Sequence, residues 1–293
     1  MIKKQPVLQT VQGLYLHYVL TEFRGSLIMP LANIRPPAVA GLFYPDDPDE
    51  LRRQVSELLR ITPVRGPAPK AMIVPHAGYI YSGPIAASAY ARIAKGRSNI
   101  HRVVLLGPAH HVAFEGIATS SATAFATPLG TIPVDLDALH TIDDLPYVRD
   151  FDTAHVSEHS LEVQLPFLQI ALGAFKLVPL VVGDATPEQV DTVLERLWGG
   201  PETLIVISSD LSHYHDYTDA QRLDQATSHA IEALREEDIG YHQACGRNPV
   251  NGLLHAARRL GLHAHTVDLR NSGDTAGSRN RVVGYGAYVF DSE

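Results

Sequence analysis

Leu204-Ile205-Val206-Ile207-Ser208-Ser209-Asp210-Leu211-Ser212-His213 opens on the most apolar run in the chain and closes on a histidine. Consecutive Leu, Ile and Val without alternation read as a strand buried on both faces, which is how strands of a parallel sheet look. The same pattern recurs twice. Ala71-Met72-Ile73-Val74-Pro75 ends on His76, and Val103-Val104-Leu105-Leu106-Gly107-Pro108-Ala109 leads to His110. In an open α/β sheet the carboxyl ends of parallel strands share one crevice, so histidines far apart in sequence converge there.

Helix-like stretches at 84–94, 160–172, 187–197, 219–235 and 250–260 alternate with strand-like runs at 102–106, 176–182, 203–207, 265–269 and 282–290. Alternation of this kind predicts an α/β/α sandwich around a mostly parallel sheet. Asp46-Asp47-Pro48-Asp49-Glu50-Leu51 predicts a helix start, with acidic residues in the first turn and Leu51, Val55, Leu58 and Leu59 on one face. No internal repeat or long linker follows Pro36. Met29 precedes Pro30-Leu31-Ala32-Asn33. Residues 1–28 therefore read as an upstream extension, residues 1–32 as a poorly ordered segment, and 33–293 as a single domain.

The 293 residues carry a formal charge of -8 and 45% apolar residues, enough for a sizeable core. Phosphate binding needs clustered Lys and Arg, and no such cluster is present, so nucleic acid is not the expected partner. One cysteine forms no internal disulfide, and no apolar stretch approaches the roughly 20 residues of a spanning helix. The first segment lacks a clean apolar region and cleavage site. A cytoplasmic protein with no membrane association is the expectation.

Pro75-His76-Ala77-Gly78-Tyr79-Ile80-Tyr81 places a histidine beside a glycine and two tyrosines, which suits a ligand-lined pocket walled by Tyr79 and Tyr81. A strand-capping imidazole is the plainer reading. In Gly107-Pro108-Ala109-His110-His111 adjacent side chains point to opposite sides, so His110 is the candidate ligand. His111 fits an acid-base group and a packed imidazole equally.

His213 is placed to move protons at neutral pH, and Asp210 either orients a histidine or caps the next helix with Ser208 and Ser209. Glu158-His159-Ser160 opens a helix with Ser160 as its expected cap, and His159 either lines the crevice or sits on the surface. Cys245 stands in a turn before Arg247, whose charge would lower the thiol's pKa; a small buried apolar role fits it equally.

Several of these pieces, in this order, resemble the Memo-like family, also called AmmeMemoRadiSam system protein B. They are Arg35-Pro36-Pro37-Ala38-Val39-Ala40-Gly41-Leu42-Phe43-Tyr44-Pro45, Pro75-His76-Ala77-Gly78-Tyr79, Gly107-Pro108-Ala109-His110-His111, Glu158-His159-Ser160, Ser208-Ser209-Asp210 with His213, and Cys245-Gly246-Arg247. The resemblance runs from about Arg35 to Phe290. It implies a fold similar to class III extradiol ring-cleaving dioxygenases, which hold non-haem Fe(II) with two histidines and a glutamate. On that basis His76 and His110 look like the histidine ligands and His213 like the acid-base histidine. Cys245 takes the place of the glutamate, and a thiolate there shifts preference toward Cu(I), Zn or thiolate-bound iron.

Three functions follow as expectations. The first is redox or oxygen chemistry on a small substrate at a mononuclear centre of His76, His110 and Cys245, carrying Fe(II) or else Cu, with His213, His159 and Asp210 handling protons and His111 and Arg247 at the pocket. The second is zinc-dependent hydrolysis, for which three N or S ligands and an open position also serve. The third is a non-enzymatic signalling protein that binds a peptide in the same pocket. The family name adds an Ammecr-like and a radical S-adenosylmethionine protein as expected partners.

Overall fold

The computed structural model describes residues 33–64, 66–94 and 99–292; the expected extension at 1–32 lies outside them. In chain order the strands are β1 (Ile34–Arg35), β2 (Ala71–Val74), β3 (Arg102–Pro108), β4 (Ile117–Thr119), β5 (Ala124–Thr127), β6 (Gly130–Pro133), β7 (Val148–Asp150), β8 (Lys176–Val182), β9 (Thr203–Ser208), β10 (His213–His215), β11 (His263–Asn271) and β12 (Val282–Asp291). The longer helices are α1 (Pro48–Ile61), α2 (Tyr79–Tyr90), α3 (Leu165–Leu172), α4 (Pro187–Leu197), α5 (Tyr217–Glu232) and α6 (Arg247–Leu260).

At the centre of the main sheet β2, β9, β3 and β8 run parallel. Antiparallel strands extend it on both sides: β4 beside β8, and β12 beside β2, with β11 and β10 pairing the far edge of β12. Helices α1, α2 and α3 pack together on one face, and α4 and α6 pack together on the other. The result is an α/β/α sandwich. Its central strands are buried along their length, from Met72 and Ile73 to Leu105, Leu180 and Ile207. Each such side chain contributes about 1.5–3 kcal/mol relative to exposure. Among the described residues, no helix is long and apolar enough to cross a membrane.

Sequence signals for the helix starts differ in how well they hold. Asp47 caps α1 by accepting from the Glu50 N–H, and Leu51, Val55 and Leu59 are buried as the periodicity requires. Thr186 and Gln189 form a reciprocal capping box on α4. Helix α2 instead starts at Tyr79 and carries Pro84 in its second turn, so proline does not mark the boundary there. Ser160 does not cap a helix: its hydroxyl donates to the Pro108 carbonyl, and α3 starts five residues later.

A second sheet, β1-β5-β6, holds the segment that enters from Asn33. Arg35 is 6% exposed and ion-pairs with Glu162, while its Nη2 donates to the Glu158 carbonyl at 2.6 Å. Glu162 also accepts from Tyr44 Oη (2.6 Å) and from the Ala38 and Val39 N–H groups (2.7 and 2.9 Å). A buried charge with this many partners is stable where a lone one would not be. Its consequence for the site is positional, because it fixes the turn that carries Phe43.

Candidate metal centre

Register brings Ile73, Ile207 and Leu106 level with one another, so β2, β9 and β3 end together. The chain leaves these ends as Pro75-His76, Ser208-Ser209-Asp210 and Pro108-Ala109-His110. A cavity of about 620 Å³ opens here, with His76, His110, His159, Asp210, His213 and Phe43 in its wall. The ligand nitrogens of His76, His110 and His159 all lie within 4.8 Å of one another.

Hydrogen bonds decide which nitrogen each ring offers. Ser208 Oγ donates its one proton to the Ser160 carbonyl at 2.6 Å, so at its 2.9 Å contact with His76 the ring Nδ1 is the donor. His76 Nε2 is thereby left with a lone pair. Ser208 is held in turn by the Gln164 amide, which also donates to the Pro75 carbonyl. Asp210 accepts the His76 backbone N–H at 2.7 Å and fixes the same turn from the other side.

His110 is arranged on the same plan. Its Nδ1 lies 2.8 Å from Glu158 Oε1 and its backbone N–H donates to Oε2 at 2.6 Å. The Ser160 N–H adds a third bond to this carboxylate. Burial acts to raise the Glu158 carboxyl, but the bonds and charge from His110 and the Ser160 N–H outweigh it and hold it at about 2. An anionic acceptor on Nδ1 leaves His110 Nε2 free and makes it a better donor to a metal.

His159 completes the group. Its ring stacks on His110 with centroids 4.6 Å apart, stands edge-on to His76 at 5.5 Å, and packs against Phe43 at 4.7 Å. Burial, with His76 nearby, lowers its pKa to about 4; burial, with His110 nearby, lowers that of His76 to about 3. His76 and His159 are thereby held neutral, and a transition metal takes deprotonated N ligands gathered in this way.

Cys245 lies beside this group. Its Sγ is 3.4 Å from His76 Nε2 and 3.6 Å from the Asp210 carbonyl. The expected help from Arg247 is not found, because the guanidinium stacks on the Tyr241 ring 3.6 Å away. Burial, reinforced by Asp210, instead pushes the thiol up to about 12. A bound cation would reverse that, since coordination deprotonates a thiol.

The remaining sequence candidates divide. His213 lines the cavity, and its Nδ1 donates to the Leu211 carbonyl at 2.8 Å, so its Nε2 is the atom that can exchange a proton. Asp210 lies in the same wall, with its pKa raised by burial. Tyr81 lines the cavity, whereas Tyr79 is buried in the core with its hydroxyl on the Val163 carbonyl. His111 is exposed, 6.0 Å from the His159 ring, and Arg247 borders a different cavity. Glu158, to which the sequence motifs assign no role of its own, is the carboxylate that orients His110. Its adjacency to His159 was the available signal.

Residues 35–289 match the family model described as Memo-like protein. The chain is 39% identical over 269 residues to a MEMO1 family protein of Aquifex aeolicus strain VF5, spanning 88% of this chain and 99% of that one. A MEMO1 family protein of Ignicoccus hospitalis is 36% identical, across 88% of this chain and 98% of its own length. One from Sulfolobus acidocaldarius is 35% identical, across 86% and 97%.

Proposed function

The chain belongs to the Memo-like protein family, and from that premise we propose that it is a metal-dependent enzyme acting on a small molecule at a mononuclear centre, with Fe(II) redox or oxygen chemistry as the leading form. The observation that carries this reading is the group of three imidazoles whose nitrogens lie within 4.8 Å, two of them with Nδ1 tied to Ser208 and Glu158. His76 and His110 are the fixed ligands. The third place is shared: His159 suits a borderline ion, and Cys245, 3.4 Å from His76 Nε2, suits a soft one such as Cu(I).

When bound, the metal would supply Lewis acidity and, for iron or copper, electron transfer. The protein's own part is distinct from this. His213 Nε2 faces the cavity with its other nitrogen committed to a carbonyl, which sets it to take or give a proton. Asp210, buried in the same wall, holds the His76 turn. Phe43, Tyr81 and Tyr285 line the cavity with aromatic rings.

Metal analysis of protein purified without oxygen tests the proposal. Near-stoichiometric iron or copper that is lost in His110→Ala supports it. No transition metal at all, in protein that is folded, would refute it. Zinc-dependent hydrolysis is the second reading, favoured by the three-histidine set, which catalytic zinc also uses. Recovery of zinc alone, with activity restored by zinc and not by Fe(II), would select it.

A further inference from the structure

A second cavity, of about 830 Å³, opens where α4 and α6 begin, and it shares no wall residue with the cavity of the histidines. Four charged side chains stand in its wall, two of each sign: Arg149 and Arg247, Glu115 and Asp184. None of the four has an ion-pair partner among the described residues. Further along the same two helices opposite charges do pair, with Arg259 2.7 Å from Asp191.

Backbone contacts set the layout. The Asn248 side-chain amide donates to the Gly183 carbonyl at 2.7 Å, which brings Arg247 and Asp184 to the two sides of one hydrogen bond. Glu115 and Asp184 are bridge partners, so the two carboxylates stem from adjoining backbone. Arg149, on β7 beyond β4, lies 4.9 Å over the Phe151 ring.

Arg247 opens α6, and its guanidinium is held 3.6 Å over the Tyr241 ring with no acceptor among the described residues. Gly246 gives α6 no side-chain cap, so its first turn keeps N–H groups open to an anion, whereas Thr186 and Gln189 close the start of α4. Asn251, one turn further along the same face of α6, is 7% exposed. Its Nδ2 donates to the Ile239 carbonyl at 3.0 Å, and its Oδ1 is buried with no partner among the described residues. A buried acceptor of this kind calls for an N–H.

We propose that this cavity is a second ligand site, which takes a zwitterion of dipeptide size: its carboxylate meets Arg247 and the open end of α6, its ammonium meets Asp184 and Glu115, and its peptide N–H meets Asn251. The site does not depend on the metal centre. Charge sets the class of ligand. A wall with two charges of each sign is close to neutral, so an anion would leave the carboxylates unmatched and a cation would leave the arginines unmatched. The fractional positive charge of the α6 end adds to Arg247 on the carboxylate's side. Span sets the size, because an extended dipeptide separates its termini by about 7 Å, whereas a free amino acid carries both charges on one carbon. Pro146, Tyr147 and Pro187 offer a surface to one apolar side chain.

The probes are alanyl-phenylalanine, its N-acetyl derivative, its C-terminal amide and free phenylalanine. Each is titrated calorimetrically into the full chain as purified and again after metal is removed with a chelator, since an amine and a carboxylate also bind metal ions. The expected result is that the dipeptide binds equally in both preparations and about ten-fold or more tightly than any other probe. Arg247→Met should bring the dipeptide and its amide within about two-fold, and Arg247→Lys should keep part of the preference. Asp184→Asn combined with Glu115→Gln should do the same for the dipeptide and its acetylated form. His110→Ala should change neither preference. No binding of the dipeptide at about 10 mM, equal binding of the probes, or a preference that survives Arg247→Met in folded protein would overturn the proposal. Binding lost on metal removal or in His110→Ala would place the dipeptide at the histidines and also overturn it.

Discussion

Glu158 holds His110 at two points, with one carboxylate oxygen 2.6 Å from the backbone N–H and the other 2.8 Å from the ring Nδ1. Backbone position and ring orientation are therefore set by one side chain. An amide in its place has only one acceptor oxygen and would turn an NH2 group toward a donor. We expect Glu158→Gln to weaken metal binding by about 10–100-fold while the protein stays folded. Competition against a chelator of known affinity reads this directly, and unchanged affinity would remove Glu158 from the site.

Metal binding should also be visible as stability. An ion that binds only the folded state, at about 100 times its dissociation constant, adds roughly 2.7 kcal/mol. His110→Ala should lose most of that gain in a thermal melt and keep the apo transition. An equal gain in wild type and variant would mean that the ion binds elsewhere.

The two candidates for the third ligand separate by softness. His159→Ala should weaken Fe(II) or Zn(II) binding by about ten-fold or more and spare Cu(I), and Cys245→Ser should do the reverse. A thiolate charge-transfer band should accompany copper in wild type and vanish in Cys245→Ser. If Cys245→Ser altered no ion's affinity, the cysteine would be a packing residue beside His76.

Gly107, within β3, abuts the turn that follows Glu158. A Cβ there would lie 2.6 Å from Ser160 Oγ and 3.0 Å from the Leu161 side chain. Gly107→Ala should cost about 1–3 kcal/mol through overpacking, and should weaken metal binding by moving Glu158 away from His110. Urea unfolding together with a metal titration reads both effects. A neutral outcome would show that the 158–161 turn can slide.

Acid stability depends partly on His155, away from the metal group. Its Nε2 meets the Ala118 carbonyl at 3.1 Å, its Nδ1 is buried with no partner among the described residues, and burial lowers its pKa to about 4. The unfolded chain takes up this proton near pH 6.5 and the folded one only near 4. Stability is therefore full above about 6.5 and falls as pH drops through that window. His155→Gln should unfold with about one proton fewer linked between these values, measured as the slope of urea stability against pH. Identical slopes would show that His155 titrates freely.

The sequence made some of this legible and hid the rest for physical reasons. β2, β3 and β9 were visible because a strand covered on both faces must be continuously apolar, and its histidine follows at once. Strands β4 to β7 are three or four residues long, too short to show a period, and β6 and β7 also mix exposed with buried positions. His159 and His213 were named as chemical residues, but the grouping of His159 with His76 and His110 depends on the 158–161 turn, whose path is set by Ser160 on Pro108 and Glu158 on His110. Contacts between turns leave no local pattern. Tyr79 departs from the pocket wall expected of a Gly- and aromatic-rich loop because it already opens α2 and turns into the core.

One consequence concerns how the protein is made. Strand β12 pairs with β2 through Tyr288 and Ile73, residues more than two hundred positions apart, and β10 pairs with β12 at Val282 and Val283. During synthesis β2 leaves the ribosome early, with one edge waiting for a partner that is translated last. At roughly 5–20 residues per second the wait is tens of seconds or less, during which the apolar Ala71–Val74 edge is open to misjoining. A ribosome stalled before Val282 would leave both β2 and the His213–His215 segment without the strand they pair with.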